Sequence, residues 1–139
     1  MKVYSNDSLL TLFQAAEVSP RKRAHLNLHT SYDEKVQRLF IALTKGSYVE
    51  PHYHEHSHQW EIFVVIHGLI RVCHYNMNGS IVSELLVGDG ESAKVIEFLP
   101  NEIHSVECLS EQALLLEFKE GPFNPQFAKV QVSVTNQEL

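Results

Sequence analysis

The chain has 139 residues, 44% of them hydrophobic and 20% charged, with a formal net charge of −6. That length fits one domain that buries a core without disulfide staples, and the composition is that of a soluble globular chain. The acidic balance argues against a nucleic-acid or anionic-membrane partner, which needs a basic face, and no stretch approaches the length of a membrane span.

In chain order, "NDSLLTLFQAAEVSP" predicts a short helix. Asp7 or Ser8 can accept a hydrogen bond from the first free amides, Leu9, Leu12, Phe13 and Ala16 recur at helical spacing, and Pro20 forbids continuation. Arg21-Lys22-Arg23 reads as a solvated turn. "RAHLNLH" then sets His25, Asn27 and His29 on one face at strand spacing. They form either a polar edge or, with Arg23, a set reaching over a barrel mouth to bind an anionic or hydroxylated ligand.

Short β-type runs follow at 36–43, 61–67, 69–75, 81–87, 93–99, 105–109 and 113–118. "MNGS" predicts a type I′ hairpin turn, with positive φ at Asn78 and Gly79, and "VGDGE" a second glycine-rich turn. Many short strands with little helix between them imply a closed or double-sheet antiparallel fold. "EIFVVIH" is apolar on both faces, so its strand is expected to lie deep, covered by the interior on one side and by a second layer or partner subunit on the other. Phe63, Val65 and His67 share Glu61's parity and either pack as core or line a cavity. His74 reads as a core histidine, Lys119 and Glu120 as surface residues, and 128–139 as a tail of uncertain order. Cys73 and Cys108 sit in apolar runs and read as buried, reduced packing residues; with no secretory segment after Met1, a cytoplasmic setting is expected.

The chemistry concentrates in "EPHYHEHSHQWE", residues 50–61. His52, His54, His56 and His58 would share one face of a straight strand, and that face would span too far for one ion. Glu61 has the opposite parity and joins them only if the chain turns between 54 and 61, which the polar "EHSHQ" permits. His52 and His54 would then end one strand, Glu61 would begin the next, and His56 and His58 would lie in the connection. Two imidazoles at i and i+2 converge on a first-row divalent metal, and a carboxylate lowers the cost of holding its charge. Downstream, "FLPNEIHSV" delivers His104 after a proline-initiated turn.

These residues resemble the cupin superfamily. Gly46, His52, His54, Glu61 and Gly68 match its first motif, with extra residues between His54 and Glu61. Pro100 and His104 match its second, with Glu102 where the family has glycine and one residue fewer. Counting back from Glu61 selects His54 and His56; counting forward from Gly46 selects His52 and His54, which the Pro51 context favours. More finely, residues 20–125, including "RKRAHLNLHTSYDEKVQRLFIALTKGSYVEPHYH", "WEIFVVIHGLIRV" and "LLLEFKEGPFNP", resemble the WbuC family of small cupin-fold metalloproteins.

The resemblance implies an all-β, single-domain jelly-roll barrel over residues 25–120, after an N-terminal helical segment (1–24) and before a C-terminal tail (121–139). It further implies a site of His52, His54, Glu61 and His104 for Fe, Mn, Ni, Co or Zn, and a homodimer. Arg23, His25, Asn27 and Phe63 are candidates for a small-molecule pocket, and His58 or His67 for moving a proton. Members of the family accompany bacterial O-antigen or capsule genes. The expected function is therefore metal-assisted isomerisation, epimerisation or oxygenation of a sugar or sugar nucleotide, or else non-catalytic metal-dependent binding of a small molecule.

Overall fold

A computed structural model describes residues 1–134; the last five residues of the expected tail lie outside it. Helix α1 (Asn6–Val18) is capped by Ser5, not by Asp7 or Ser8. Ser8 sits at the third helical position, so the two serines exchange backbone-to-side-chain hydrogen bonds. That reciprocal pair satisfies two otherwise free amides, and Asp7 is left in the first turn to complement the helix dipole. The helix buries Leu9, Leu12 and Ala16 against Phe40, Ala42 and Leu114, and so covers the outside of one sheet.

The strands are β1 (Arg23–Asn27), β2 (Val36–Thr44), β3 (Tyr48–Tyr53), β4 (Glu61–His67) and β5 (Leu69–Tyr75). They continue with β6 (Ile81–Gly88), β7 (Val95–Phe98), β8 (Ile103–Cys108), β9 (Gln112–Glu120) and β10 (Val130–Gln131). They make two five-stranded antiparallel sheets, ordered β1-β2-β9-β4-β7 and β10-β3-β8-β5-β6, as expected for a jelly-roll barrel. Inward residues alternate along each strand: Leu39, Ile41 and Leu43 on β2, Phe63 and Val65 on β4, Ala113 and Leu115 on β9, Val106 and Cys108 on β8. Val65, Ala113 and Cys108 pack away from any cavity, whereas Leu39, Ile41, Leu43, Phe63, Val106 and Leu115 border a hollow between the sheets.

Three local features depart from the sequence reading. The "MNGS" hairpin is not a type I′ turn, because only Gly79 of the two central residues has positive φ. The Asn76 side chain accepts from the amides of Asn78 and Ser80, which favours a turn starting at Asn76 with Gly79 as its left-handed last residue. The outer face of β4 has no complete second layer within the chain, the first of its two expected covers: Ile66 is 49% exposed, and Ile62 and Val64 are half-buried. The segment from residue 128 is ordered as far as it is described, since β10 pairs with β3. Both cysteines are free and buried, as expected.

Candidate metal centre

Glu61 opens β4 in one sheet, while β3 and β8 of the other sheet supply His52 and His104. Strand β3 carries a register shift between Val49 and His52, where Pro51 offers no amide to a ladder. The shift turns both Val49 and His52 inward, although their parity differs. His54 lies just past β3, and the turn over 55–60 swings the chain back so that Glu61 faces the same point. One potential ligand atom from each of His52, His54, Glu61 and His104 lies within 4.8 Å of the others.

Each imidazole is held by its far nitrogen. The Nδ1–H groups of His52, His54 and His104 donate to the carbonyls of Glu50 (2.8 Å), Ala128 (2.6 Å) and Glu102 (2.9 Å). A carbonyl only accepts, so the neutral rings carry their proton on Nδ1 and present an Nε2 lone pair to the centre. His104 is further fixed by the Phe98 ring, stacked at 3.6 Å. Glu61 Oε1 lies 2.9 Å from His104 Nε2 and 3.3 Å from His54 Nε2. Lone pairs meeting a carboxylate at that distance repel unless a proton or cation lies between them. His54 Nε2 is buried with no hydrogen-bond partner among the described residues. Three inward nitrogens and one carboxylate oxygen fit a divalent transition metal with positions left open for water or a ligand oxygen.

Electrostatics follow from the crowding. Burial and the neighbouring His104 push the His52 imidazole down to about 4. Burial also works against a charged His54, but the Glu61 carboxylate 3.3 Å away outweighs it and holds that imidazole above its ordinary value. For Glu61, burial would raise the carboxyl, yet His104 and His54 pull it well below the usual carboxylate range.

The cluster forms part of the wall of a cavity of about 410 Å³ between the two sheets, a volume usual for small-molecule sites. Arg23, His25, Asn27 and Phe63, named from sequence, all line it. His67 does not come near. It stands at the far end of β4, six residues or roughly 20 Å from Glu61 by strand rise, where its exposed ring lies 3.6 Å from Asp89. His58 lines a smaller crevice with His54, Trp60, Glu61 and Lys119. His56 turns away to the Phe127 ring, 5.3 Å between centroids.

Other wall residues escaped the sequence reading. Lys119, expected at the surface, lines the cavity, 3.9 Å from Glu117 and 4.2 Å over the Phe123 ring. Glu117 is buried; burial first, then the charge of Glu61, hold its carboxyl well above the ordinary range against the pull of Lys119. Arg21 and Lys129 also border the cavity, from segments read as a solvated turn and a tail. The available signal was parity: Glu117 and Lys119 share the inward phase of Ala113 and Leu115.

A family model described as a domain of unknown function (DUF6016) matches residues 4–87. No curated protein matches the chain. Among solved structures, the capsular polysaccharide assembling protein CapF of Staphylococcus aureus aligns with a TM-score of 0.68 and 20% identity, over 84% of this chain and 33% of that one. An oxalate oxidase in complex with the substrate analogue glycolate aligns at 0.62 and 16% identity, over 83% and 57%. Bacillus subtilis oxalate decarboxylase aligns at 0.58 and 24%, over 79% and 27%, and Mn(II) centres are described in that enzyme. The chain thus spans a third of CapF and a little over half of the oxidase. These likenesses show the cupin fold, and the barrel's own histidine–glutamate cluster suits a divalent metal.

Proposed function

The chain belongs to the family described as a domain of unknown function (DUF6016), and we propose that it is a WbuC-type cupin that binds a small, oxygen-rich molecule at a metal held by His52, His54, Glu61 and His104. The carrying observation is the anchoring of all three rings through Nδ1, so that their Nε2 atoms converge on Glu61 at the wall of a small-molecule cavity. Likeness to the capsular polysaccharide assembling protein supports a sugar or sugar nucleotide of surface-polysaccharide biosynthesis as the ligand.

A bound ion would supply Lewis-acid polarisation of a carbonyl or adjacent hydroxyl pair, the chemistry needed for isomerisation or epimerisation, and a redox-active ion such as Fe(II) would, with dioxygen as oxidant, supply oxygenation. The chain's own residues orient the ligand: Phe63 packs against its apolar side, while Asn27, His25 and Arg23 hydrogen-bond its polar end. His58 shares a crevice with His54 and Glu61 and is the candidate proton carrier, whereas His67 stands at the far end of β4. Non-catalytic binding remains the second reading. It is favoured by the place of His58, the candidate proton carrier, which lines a separate crevice and does not border the main cavity.

Metal analysis of anaerobically purified protein, with a thermal-shift screen of sugar nucleotides, tests the proposal. His54→Ala is expected to abolish metal binding and His56→Ala to leave it intact; loss of metal in both would defeat the assigned register. Turnover of a bound sugar nucleotide separates enzyme from binding protein, and light scattering checks the dimer.

A further inference from the structure

The hollow between the sheets has a second pole. Arg21 and Arg23 enter from the segment leading into β1, Lys129 from the segment leading into β10, and Lys119 from β9. Among the described residues, no carboxylate lies within 4.0 Å of Arg21, Arg23 or Lys129, and the remaining cation of the set has only the 3.9 Å contact to Glu117. Arg23 instead donates to the Tyr48 carbonyl at 3.2 Å. An acidic chain of net charge −6 has carboxylates to spare for neutralising these groups, yet brings Arg21, Arg23 and Lys129 together with only Glu50 beside them and no carboxylate inside 4.0 Å.

Their crowding is expressed in each other's protonation. Burial, then Arg21, lowers the Arg23 guanidinium; burial, then Arg23 and Arg21, lowers the Lys129 ammonium, with Glu50 opposing in both cases. His25 is pushed to about 4 by burial and by Arg23, Lys119, Arg21 and Lys129 together. Burial, reinforced by the four cations, thus keeps this imidazole neutral. On β2, six residues before the Leu43 that pairs with Arg23 and directly opposite Lys119, Gln37 is fully buried and donates its amide nitrogen to the Ser31, Tyr32 and Glu34 carbonyls, while its Oε1 has no partner among the described residues.

We propose that the cavity takes a phosphate monoester, with the phosphate seated among Arg21, Arg23 and Lys129, a hydroxyl donating to Gln37 Oε1, and neighbouring oxygens directed at the metal centre. A phosphate carries about −1.5 to −2 charges and three strong acceptor oxygens, which matches a set of at least three unpaired cations better than a single carboxylate does. Guanidinium forks suit its tetrahedral oxygens. The inference deepens the proposed function and rests on it.

Glucose 6-phosphate, glucose, malate and inorganic phosphate, titrated calorimetrically into full-length, metal-replete protein, test the assignment, with metal content measured in every sample. Glucose 6-phosphate is expected to bind at least tenfold more tightly than glucose and than malate, with affinity falling as salt rises. That ratio needs no variant. Arg23→Gln combined with Lys129→Gln is expected to lose at least tenfold in affinity for glucose 6-phosphate and inorganic phosphate while keeping its metal. Lys45→Gln, at a cation paired with Glu111 outside the cavity, is expected to stay within twofold of the parent. Equal binding of glucose and glucose 6-phosphate, tighter binding of malate, or phosphate affinity untouched by the double variant but lost in His54→Ala would each overturn the phosphate subsite. A wild-type protein that takes up no metal would instead defeat the proposed function.

Discussion

At the scale of single residues, the centre is legible as a proton-for-metal exchange. Glu61 holds His54 above its ordinary value while the Nδ1–H of that ring is already committed to Ala128. In the metal-free protein the extra proton sits on Nε2, between the two groups. Because the folded-state value is raised, this proton stabilises the fold fully below pH 6.5, and the benefit is lost as pH climbs through the raised value. His52 has the opposite sign: lowered to about 4, its neutral form favours folding above pH 6.5 and costs stability as pH falls from there to 4. Metal binding needs both Nε2 lone pairs and so displaces the His54 proton. Uptake of one equivalent of ion near pH 6.5 is expected to release about one proton, measurable by calorimetry in buffers of different ionisation heat; no buffer dependence would contradict the arrangement. The His52–His54 pair was readable from its spacing. Glu117 was not, because nothing in "LLLEFKE" marks a carboxylate as interior until the strand's inward phase is known.

At the scale of elements, strands with strong alternation or apolar runs, β2, β4, β5 and β9, stand out in the sequence, and their observed bounds differ from the expected ones by at most two residues. Strand β3 was harder. Its register shift breaks alternation at Glu50-Pro51, so Val49 and His52 face inward together and no period-2 pattern survives. Strand β10 has only two residues, too few for any periodicity, yet it pins the segment whose Ala128 carbonyl orients His54. Gln59 ties the same segment down from the ligand turn, donating to the Phe127 carbonyl at 2.6 Å. Outer partners of this kind typically contribute 10- to 100-fold in metal affinity. Truncation before Ala128 is therefore expected to weaken metal binding by about tenfold or more while leaving the β-sheet circular dichroism unchanged. Equal affinity in a chelator competition would mean that the carbonyl contact does not orient His54.

At the scale of the whole molecule, the barrel divides its interior unequally. Ile70, Val72, Val87, Cys108 and Ala113 are buried without bordering the cavity, and their packing holds the sheets together. Leu39, Ile41, Leu43 and Leu115 border the cavity instead, and the contact surrendered there leaves polar groups to join the two sheets: Glu61 from one, His52 and His104 from the other. An ion shared by these side chains would cross-link the sheets where packing is thinnest. At free metal about 100-fold above Kd, linkage contributes about 2.7 kcal/mol; for a domain of this size that corresponds to roughly 10 °C in Tm. Chelation is accordingly expected to lower Tm by about that amount, and Glu61→Gln to lose most of the difference between loaded and stripped protein, since its amide cannot neutralise the ion's charge. Identical melting of loaded and stripped wild-type protein in differential scanning calorimetry would show that the four side chains do not bind an ion that supports the fold.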